Sequence, residues 1–147
     1  MDRYTPSPPP PEFREGGYDI KIVSGTANLP LATAIAQQLR INLEPAEVSQ
    51  FADGEINIHV VNNIRGSDIF LIQPTCKDVN KNLVELLLLI HTLKLSSAKR
   101  ITAVVPYFGY ARQDRKTKPR VPISASAVSQ LIEKMGPSRL VNSFIRF

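Results

Sequence analysis

Short apolar runs alternate with amphipathic helical patterns along most of this chain, and the alternation restricts the folds that it can adopt. Strand-like runs are predicted at 19–24, 69–73 and 101–105, and helical patterns separate them. The helix predicted at about 80–95 carries a broad apolar face of leucine and isoleucine. Because parallel strands need crossover connections of this kind, the sequence predicts an α/β fold with a doubly wound, mostly parallel sheet.

A hairpin is predicted to interrupt this alternation. Strands are expected at 46–50 and 56–61, and Phe51-Ala52-Asp53-Gly54-Glu55 joins them. Asp-Gly suits the dihedral angles of a tight turn, so an antiparallel hairpin explains this dipeptide without any function. Phe51 and Glu55 also allow a functional interpretation, since an aromatic ring beside carboxylates can stack on a purine and accept its hydrogen bonds.

Two more helices complete the predicted pattern. The first follows a turn in which Asn28 or a neighbour can cap the helix and Pro30 can open it. Leucine and isoleucine recur in this helix at i, i+4 and i+8, which predicts a face toward the sheet formed by Leu31, Ile35 and Leu39. The last helix is predicted at about 124–135, ending at Gly136.

The loop that follows the strand at 101–105 has a concentrated positive charge. From Arg112 to Arg120, five cationic side chains stand against a single acid, Asp114. Ligands of doubly wound sheets bind beyond the carboxyl ends of the strands, where this loop is predicted to lie. A polyphosphate could neutralise the charge. On charge alone, a solvated basic loop is an equally good interpretation.

Composition excludes several classes of protein. The most apolar stretch, 83–95, contains Glu85, His91 and Lys94 and is too short to span a bilayer, so we expect no membrane partner. Cys76 is the single cysteine, which excludes an intrachain disulfide and a thiolate metal cluster and favours a reducing, cytoplasmic compartment. The net charge of +5 suits an anionic ligand but argues only weakly for nucleic acid.

The chain divides into three predicted parts. Positions 1–18 are rich in proline and are expected to form a disordered or polyproline II tail. A single domain is expected at 19–142, and a strand begins at Leu140-Val141. The remaining positions, 143–147, form a short end.

Two motifs together resemble the N-terminal half of the ribose-phosphate pyrophosphokinase family, also called phosphoribosyl pyrophosphate synthetases. They are the hairpin turn Phe51-Ala52-Asp53-Gly54-Glu55 and the longer run Pro106-Tyr107-Phe108-Gly109-Tyr110-Ala111-Arg112-Gln113-Asp114-Arg115-Lys116. Shorter stretches extend the likeness over about 20–141, at 21–25, 64–66, 82–87 and 122–125. The resemblance implies a phosphoribosyltransferase-like domain that is incomplete at its C-terminus.

The resemblance also implies a reaction and its ligands. The family transfers the pyrophosphoryl group of ATP to ribose 5-phosphate, giving phosphoribosyl pyrophosphate and AMP, with Mg²⁺ and usually with phosphate as activator. It implies ATP contacts by six residues, of which the first three act from a neighbouring subunit: Phe51, Asp53, Glu55, Arg112, Gln113 and Asp114. A regulatory phosphate site is implied at Arg65, Ser97 and Arg120. Homo-oligomers are therefore expected.

The chain departs from the family pattern near its end. The family's Asp-Leu-His segment, which helps hold magnesium-ATP, would fall at Phe144-Ile145-Arg146, so neither metal ligand is expected here. The second domain with the ribose 5-phosphate site has no counterpart. We therefore expect no catalytic residue in this chain and no activity from the chain alone. The alternatives are a non-catalytic partner of full-length synthetase subunits and, third, a nucleic-acid binding module.

Overall fold

The computed structural model describes residues 19–142, so the tail predicted at 1–18 and the divergent end predicted at 143–147 lie outside the described residues. Strands and helices alternate as the sequence predicts, and the α/β class is confirmed. The elements in chain order are β1 (Ile20–Ser24), α1 (Leu29–Leu39), β2 (Leu43–Glu44), β3 (Ala46–Gln50), β4 (Ile56–Val60), β5 (Asp68–Ile72), α2 (Val79–Leu95), β6 (Arg100–Val105), α3 (Ser124–Met135) and β7 (Arg139–Asn142).

Five strands form one parallel sheet in the order β2-β1-β5-β6-β7. The chain leaves β1 toward β2 on one side, whereas it leaves β5 toward β6 and β7 on the other. The strand order therefore reverses between β1 and β5, which is the defining feature of a doubly wound sheet. The two remaining strands, β3 and β4, form a separate antiparallel hairpin. Both the sheet and the hairpin were predicted from the sequence.

The helices cover the two faces of the sheet unequally. Helices α2 and α3 pack over the larger core, in which Leu86, Ile90 and Ile132 are fully buried. Nonpolar residues of the hairpin pack against the same core, so the hairpin lies beside α2. Helix α1 covers part of the other face. In the described part of the chain, no helix is both long and apolar enough to cross a membrane.

The predicted face of α1 is wrong in detail. Ala32 and Ala36 are the buried residues of this helix, whereas Leu39 is 54% exposed and Ile35 only partly buried. Two alanines on one face allow the helix axis to approach the sheet closely, and this places the larger side chains at the margins of the contact. The cap was predicted correctly, since the Asn28 side chain accepts the Leu31 N–H at 3.1 Å.

An ion pair joins the amino ends of two central strands. The Arg100 guanidinium donates to the Asp68 carboxylate through Nη2 at 2.7 Å and Nε at 3.3 Å. This hydrogen bonding holds the pKa of Asp68 below its usual range, against the opposing effect of burial. Asp68 and Arg100 are register partners at the start of β5 and β6. The pair therefore fixes the relative position of the two strands.

Candidate functional site

Three connections lie at the carboxyl edge of the sheet, which we define as the side beyond the last residues of β1, β5 and β6. They are the β1–α1 loop (residues 25–28), the β5–α2 loop (73–78) and the β6–α3 loop (106–123). They meet there because the three strands are parallel neighbours. The motif predicted to bind ATP, 106–116, thus lies where ligands of doubly wound sheets bind.

The first part of the β6–α3 loop is fixed to the β5–α2 loop. The Gly109 N–H donates to Thr75 Oγ1 at 2.6 Å, while the Thr75 N–H and O–H donate to the Tyr107 carbonyl at 2.8 and 3.1 Å. A Cβ atom on Gly109 would lie 2.5 Å from Val79 Cγ1 and 2.9 Å from the Thr75 carbonyl oxygen. Only glycine therefore allows the two loops to approach this closely.

Two aromatic residues anchor the same loop. Phe108 is buried in the larger core. The Tyr110 hydroxyl donates to Asn80 Oδ1 in the first turn of α2. Tyr110 has a positive φ of 67°, an uncommon conformation for an aromatic residue, which the surrounding contacts maintain. The backbone that leads into the basic residues is thus held on both sides.

The basic residues that follow are all exposed. Arg112 and Asp114, both predicted to contact ATP, lie in this exposed stretch with Arg115, Lys116, Lys118 and Arg120. Between residues 19 and 142, no carboxylate forms a salt bridge with any of these five cations. The stretch therefore presents a concentrated positive potential to solvent, which favours binding of a polyanion.

Gln113 has a structural role that the sequence did not suggest. Its side-chain oxygen accepts the Ser124 hydroxyl at 2.6 Å, and its carbonyl accepts the Ala125 N–H at 3.2 Å. The residue before α3, Ile123, provides no side-chain cap. Gln113 thus accepts hydrogen bonds from Ser124 and Ala125 in the first turn of α3. The two ends of the basic stretch therefore lie next to each other.

The hairpin tip forms a tight turn, as predicted. Gly54 has a φ of 94° and its N–H donates to the Phe51 carbonyl at 2.9 Å, while Asp53 Oδ1 accepts the Glu55 N–H at 3.1 Å. The ring of Phe51 is 57% exposed. One carboxylate oxygen of Asp53 therefore stabilises the turn by accepting a backbone hydrogen bond. Phe51 is exposed enough to contact a molecule outside the domain.

The hairpin tip and the β6–α3 loop approach α2 at the same end. A groove of about 480 Å³ separates the hairpin from α2, and its lining includes Glu55, Asn80 and Lys81. Asn80 is also the residue that accepts the Tyr110 hydroxyl. The first turn of α2 thus lies between the two predicted ATP-binding motifs, although they belong to different supersecondary units.

The three residues predicted to bind regulatory phosphate lie in three different loops. Arg65 and Ser97 lie in loops before β5 and β6, joined where the Gly66 N–H donates to the Ser97 carbonyl at 2.9 Å. Arg120 lies beyond β6, at the carboxyl edge. A strand of five residues is about 16 Å long. Arg120 is thus separated from Arg65 and Ser97 by about the length of a strand.

Two buried polar residues near this edge were not predicted. Glu85 and Gln73 are both fully buried. Glu85 accepts the Thr26 N–H at 2.5 Å and the Thr26 hydroxyl at 2.7 Å, and Gln73 Oε1 accepts the Ala27 N–H at 3.2 Å. A signal was present in the sequence, since Glu85 lies between Asn82 and Leu89 on the buried face of α2. A carboxylate at such a position requires buried donors.

The described residues do not by themselves form a metal site. Across residues 19–142, no group of three or more His, Cys, Asp or Glu side chains is placed to hold an ion. Asp114 is exposed and stands among cations. The positions at which the metal ligands were expected to be replaced, Phe144 to Arg146, lie outside the described residues.

The fold and this edge define a class of protein: a doubly wound α/β domain of the type that binds ligands beyond the carboxyl ends of its strands. Residues 20–136 match the family model described as the N-terminal domain of ribose phosphate pyrophosphokinase. The chain belongs to this family.

Similar proteins agree with this assignment. The ribose-phosphate pyrophosphokinase of Wolinella succinogenes is 51% identical over 121 residues, which cover 82% of this chain and 39% of that protein. That of Thermotoga maritima is 53% identical over 123 residues, or 84% of this chain and 39% of that protein. The crystal structure of the Mycobacterium smegmatis phosphoribosylpyrophosphate synthetase superposes with a TM-score of 0.82 at 38% identity, covering 84% of this chain and 42% of that one. The chain thus spans about 39% of the length of these two pyrophosphokinases.

Proposed function

We propose that this chain carries the ATP-binding half of a ribose-phosphate pyrophosphokinase, which makes phosphoribosyl pyrophosphate and AMP from ATP and ribose 5-phosphate in nucleotide biosynthesis. Membership of the family supports this proposal. The observation that carries it is the β6–α3 loop, in which a fixed backbone from Tyr107 to Tyr110 presents an exposed basic stretch at the carboxyl edge. Because this backbone is already ordered before binding, less conformational entropy is lost when a polyphosphate binds.

In this proposal the two motifs divide the nucleotide between them. Arg112 offsets the charge of the triphosphate, because a guanidinium can donate two parallel hydrogen bonds to phosphate oxygens. Gln113 and Asp114 lie along the nucleotide. Phe51 stacks on the adenine ring, and the carboxylates of Asp53 and Glu55 accept hydrogen bonds from its amino group or the ribose. The exposure of Phe51 is compatible with action from a neighbouring chain in a homo-oligomer.

In the proposed complex, Mg²⁺ binds together with the nucleotide, as MgATP. Mg²⁺ is often held by substrate phosphates with one or two carboxylates, and it neutralises phosphate charge. In this proposal the residues described here supply positive charge and hydrogen-bond donors to the nucleotide, and the ribose 5-phosphate site belongs to the second domain that the family resemblance implies. We therefore expect the 147-residue chain alone to bind MgATP without forming AMP. AMP formation from ATP and ribose 5-phosphate by the purified chain would contradict this expectation.

Isothermal titration calorimetry with MgATP tests the binding proposal. Arg112→Ala should weaken binding by roughly tenfold or more, since a charged hydrogen bond contributes about 1.5–3 kcal/mol. Arg139→Ala is the matched control, because Arg139 is also exposed but begins β7 at the opposite edge. Absence of measurable MgATP binding by the wild-type chain would refute the proposal, and equal losses in the two variants would show a non-specific effect of charge.

A second candidate function is that of a non-catalytic partner which assembles with full-length synthetase subunits. The exposed hairpin tip favours it, because Phe51 could serve the nucleotide site of another subunit. Mixing the chain with a full-length synthetase should then produce a complex in size-exclusion chromatography and change the rate of AMP formation. Phe51→Ala should reduce this effect. A mixture whose components elute separately and whose rate is unchanged would exclude this function.

Inorganic phosphate is the proposed activator of the complete enzyme. Because Arg65 and Ser97 lie at one edge of the sheet and Arg120 at the other, we propose that a phosphate bound by all three joins two chains. We therefore expect phosphate to favour association of this chain. Sedimentation velocity with and without phosphate measures the change, and an unaltered distribution of species would contradict it.

A further inference from the structure

The β1–α1 loop rests directly on two buried side chains. Beyond the hydrogen bonds of Thr26 to Glu85 and of Ala27 to Gln73, Gly25 packs against both. A Cβ atom on Gly25 would lie 2.2 Å from Gln73 Oε1 and 2.7 Å from Glu85 Oε1. The backbone from Gly25 to Ala27 is thus held against the side chains of Gln73 and Glu85.

The β1–α1 loop lies at the place in the sheet where ligands of doubly wound folds bind. It follows β1, and the strand order reverses between β1 and β5. In doubly wound sheets the crevice at this reversal is where ligands bind, so the loop forms one wall of that crevice. The Gly25 N–H also donates to the Ile72 carbonyl at 3.0 Å, which continues the pairing of β1 with β5 into the loop.

Two hydrogen bonds and the backbone of the β5–α2 loop connect this wall to the basic loop. Gln73 Nε2 donates to the Asn82 carbonyl at 3.4 Å, and Asn82 Nδ2 donates to the Lys77 carbonyl at 2.7 Å. Lys77 belongs to the β5–α2 loop, in which Thr75 accepts the Gly109 N–H. Displacement of Gln73 would therefore disturb both the β1–α1 loop and the support of Tyr107 to Tyr110, whereas Glu85 acts on the β1–α1 loop through Thr26.

We propose that Glu85 is a positioning residue for nucleotide binding, acting through Thr26 and the β1–α1 loop. The inference rests on the proposed ATP-binding function and adds a residue that touches no ligand. A fully buried carboxylate that accepts two donors from one residue fixes both the backbone and the side chain of Thr26. Hydrogen bonds to a charged acceptor are the stronger kind, and in a buried site they are costly to leave unmade.

Four variants of the full chain separate positioning from general stability. Glu85→Gln keeps the shape but can accept only one of the two Thr26 donors in the same geometry. Thr26→Val removes the hydroxyl donor and leaves the carboxylate in place, and Thr26→Ser keeps both donors. Thr92→Val is the matched control, since it removes a similar hydroxyl bond, to the Leu88 carbonyl at 2.9 Å, at the other end of α2.

Two measurements are made on each variant after far-UV circular dichroism has shown that it is folded. Hydrogen exchange of the Thr26 and Ala27 amides reports the order of the loop, and calorimetry reports the affinity for MgATP. Glu85→Gln and Thr26→Val should exchange faster and bind MgATP more weakly, by roughly fivefold or more. Thr26→Ser should restore both properties toward wild type, and Thr92→Val should change neither.

Three results would overturn the inference, and they differ from a failure of the proposed function. Faster exchange with unchanged MgATP affinity would show that the loop is not part of the nucleotide site. Unchanged exchange in both Glu85→Gln and Thr26→Val would show that Glu85 does not fix the loop. Weaker binding in Thr92→Val as well would indicate a general loss of stability. If the wild-type chain does not bind MgATP, the proposed function fails and this inference fails with it.

Discussion

Replacement of Gly25 by alanine should destabilise the domain through steric overlap alone. Gly25 is not among the residues with positive φ, so its backbone could accept a side chain. The obstacle is space, because the added Cβ would lie 2.2 Å from Gln73 Oε1, 2.4 Å from Gln73 Cδ and 2.7 Å from Glu85 Oε1. Each of these distances is shorter than side-chain atoms tolerate, and neither buried side chain can move without losing a loop hydrogen bond.

The cost can be estimated from these contacts. Overpacking a closely packed interior costs about 1–3 kcal/mol. Displacement of Gln73 also breaks its bond to the Ala27 N–H, and an unsatisfied buried group costs about 1–3 kcal/mol. We therefore expect a loss of about 3 kcal/mol in the free energy of unfolding for Gly25→Ala. A domain of this size should then melt about 6–12 °C lower.

Urea unfolding followed by far-UV circular dichroism measures this loss. Gly54→Ala is the control, because nothing lies within 4 Å of its added Cβ and its cost arises only from a φ of 94°. Gln73→Ala should remove most of the clash, so Gly25→Ala should cost less in that background than in wild type, whereas Gly54→Ala should cost the same in both. A loss below about 0.5 kcal/mol for Gly25→Ala, or strict additivity with Gln73→Ala, would refute the steric argument.

Three further predictions concern separate parts of the domain. Asp68→Asn should lower the free energy of unfolding by about 1 kcal/mol at neutral pH. Because Arg100 depresses the folded-state pKa of Asp68, the wild-type advantage is full above the unfolded pKa of about 3.9 and disappears as pH falls through the folded pKa, as urea titrations at several pH values would show. A pH-independent difference would contradict this. Ser124→Ala should speed hydrogen exchange of the Ala125 amide, and it should cost about 0.5–1 kcal/mol in urea unfolding. Phe51→Ala should leave stability within about 0.5 kcal/mol of wild type while weakening MgATP binding or assembly, and a large loss of stability would show that Phe51 packs in the domain.

The parts of the fold that the sequence predicted are those with strong local signals. Helix α3 begins at Ser124 and ends before Gly136, as its periodicity and its glycine indicate, and the hairpin turn lies where Asp-Gly placed it. Strand β2, with only Leu43 and Glu44, is too short to leave a periodic pattern. Its pairing depends on β1, which is distant in sequence.

The site was predicted less completely because much of it depends on contacts between elements. The basic stretch around Arg112 was found from its charge and from the order of the elements, and its assignment to ATP came from the family resemblance. The hydrogen bonds of Gln113 to Ser124 and of Glu85 to Thr26 depend on how a loop returns to a helix and on how α2 meets the β1–α1 loop. The rotation of α1 toward its alanines likewise follows from the close approach of helix and sheet. No window of sequence contains this information.

The separation of Arg65 and Ser97 from Arg120 has a consequence for mass action. In the proposed arrangement, one phosphate is held by Arg65 and Ser97 of one chain and by Arg120 of another, through charged hydrogen bonds of about 2.7–2.9 Å. Its occupancy would then depend on the protein concentration as well as the phosphate concentration. Dilution at constant phosphate would release the ion, and any response to phosphate would be steepest near the dissociation constant of the chains for one another.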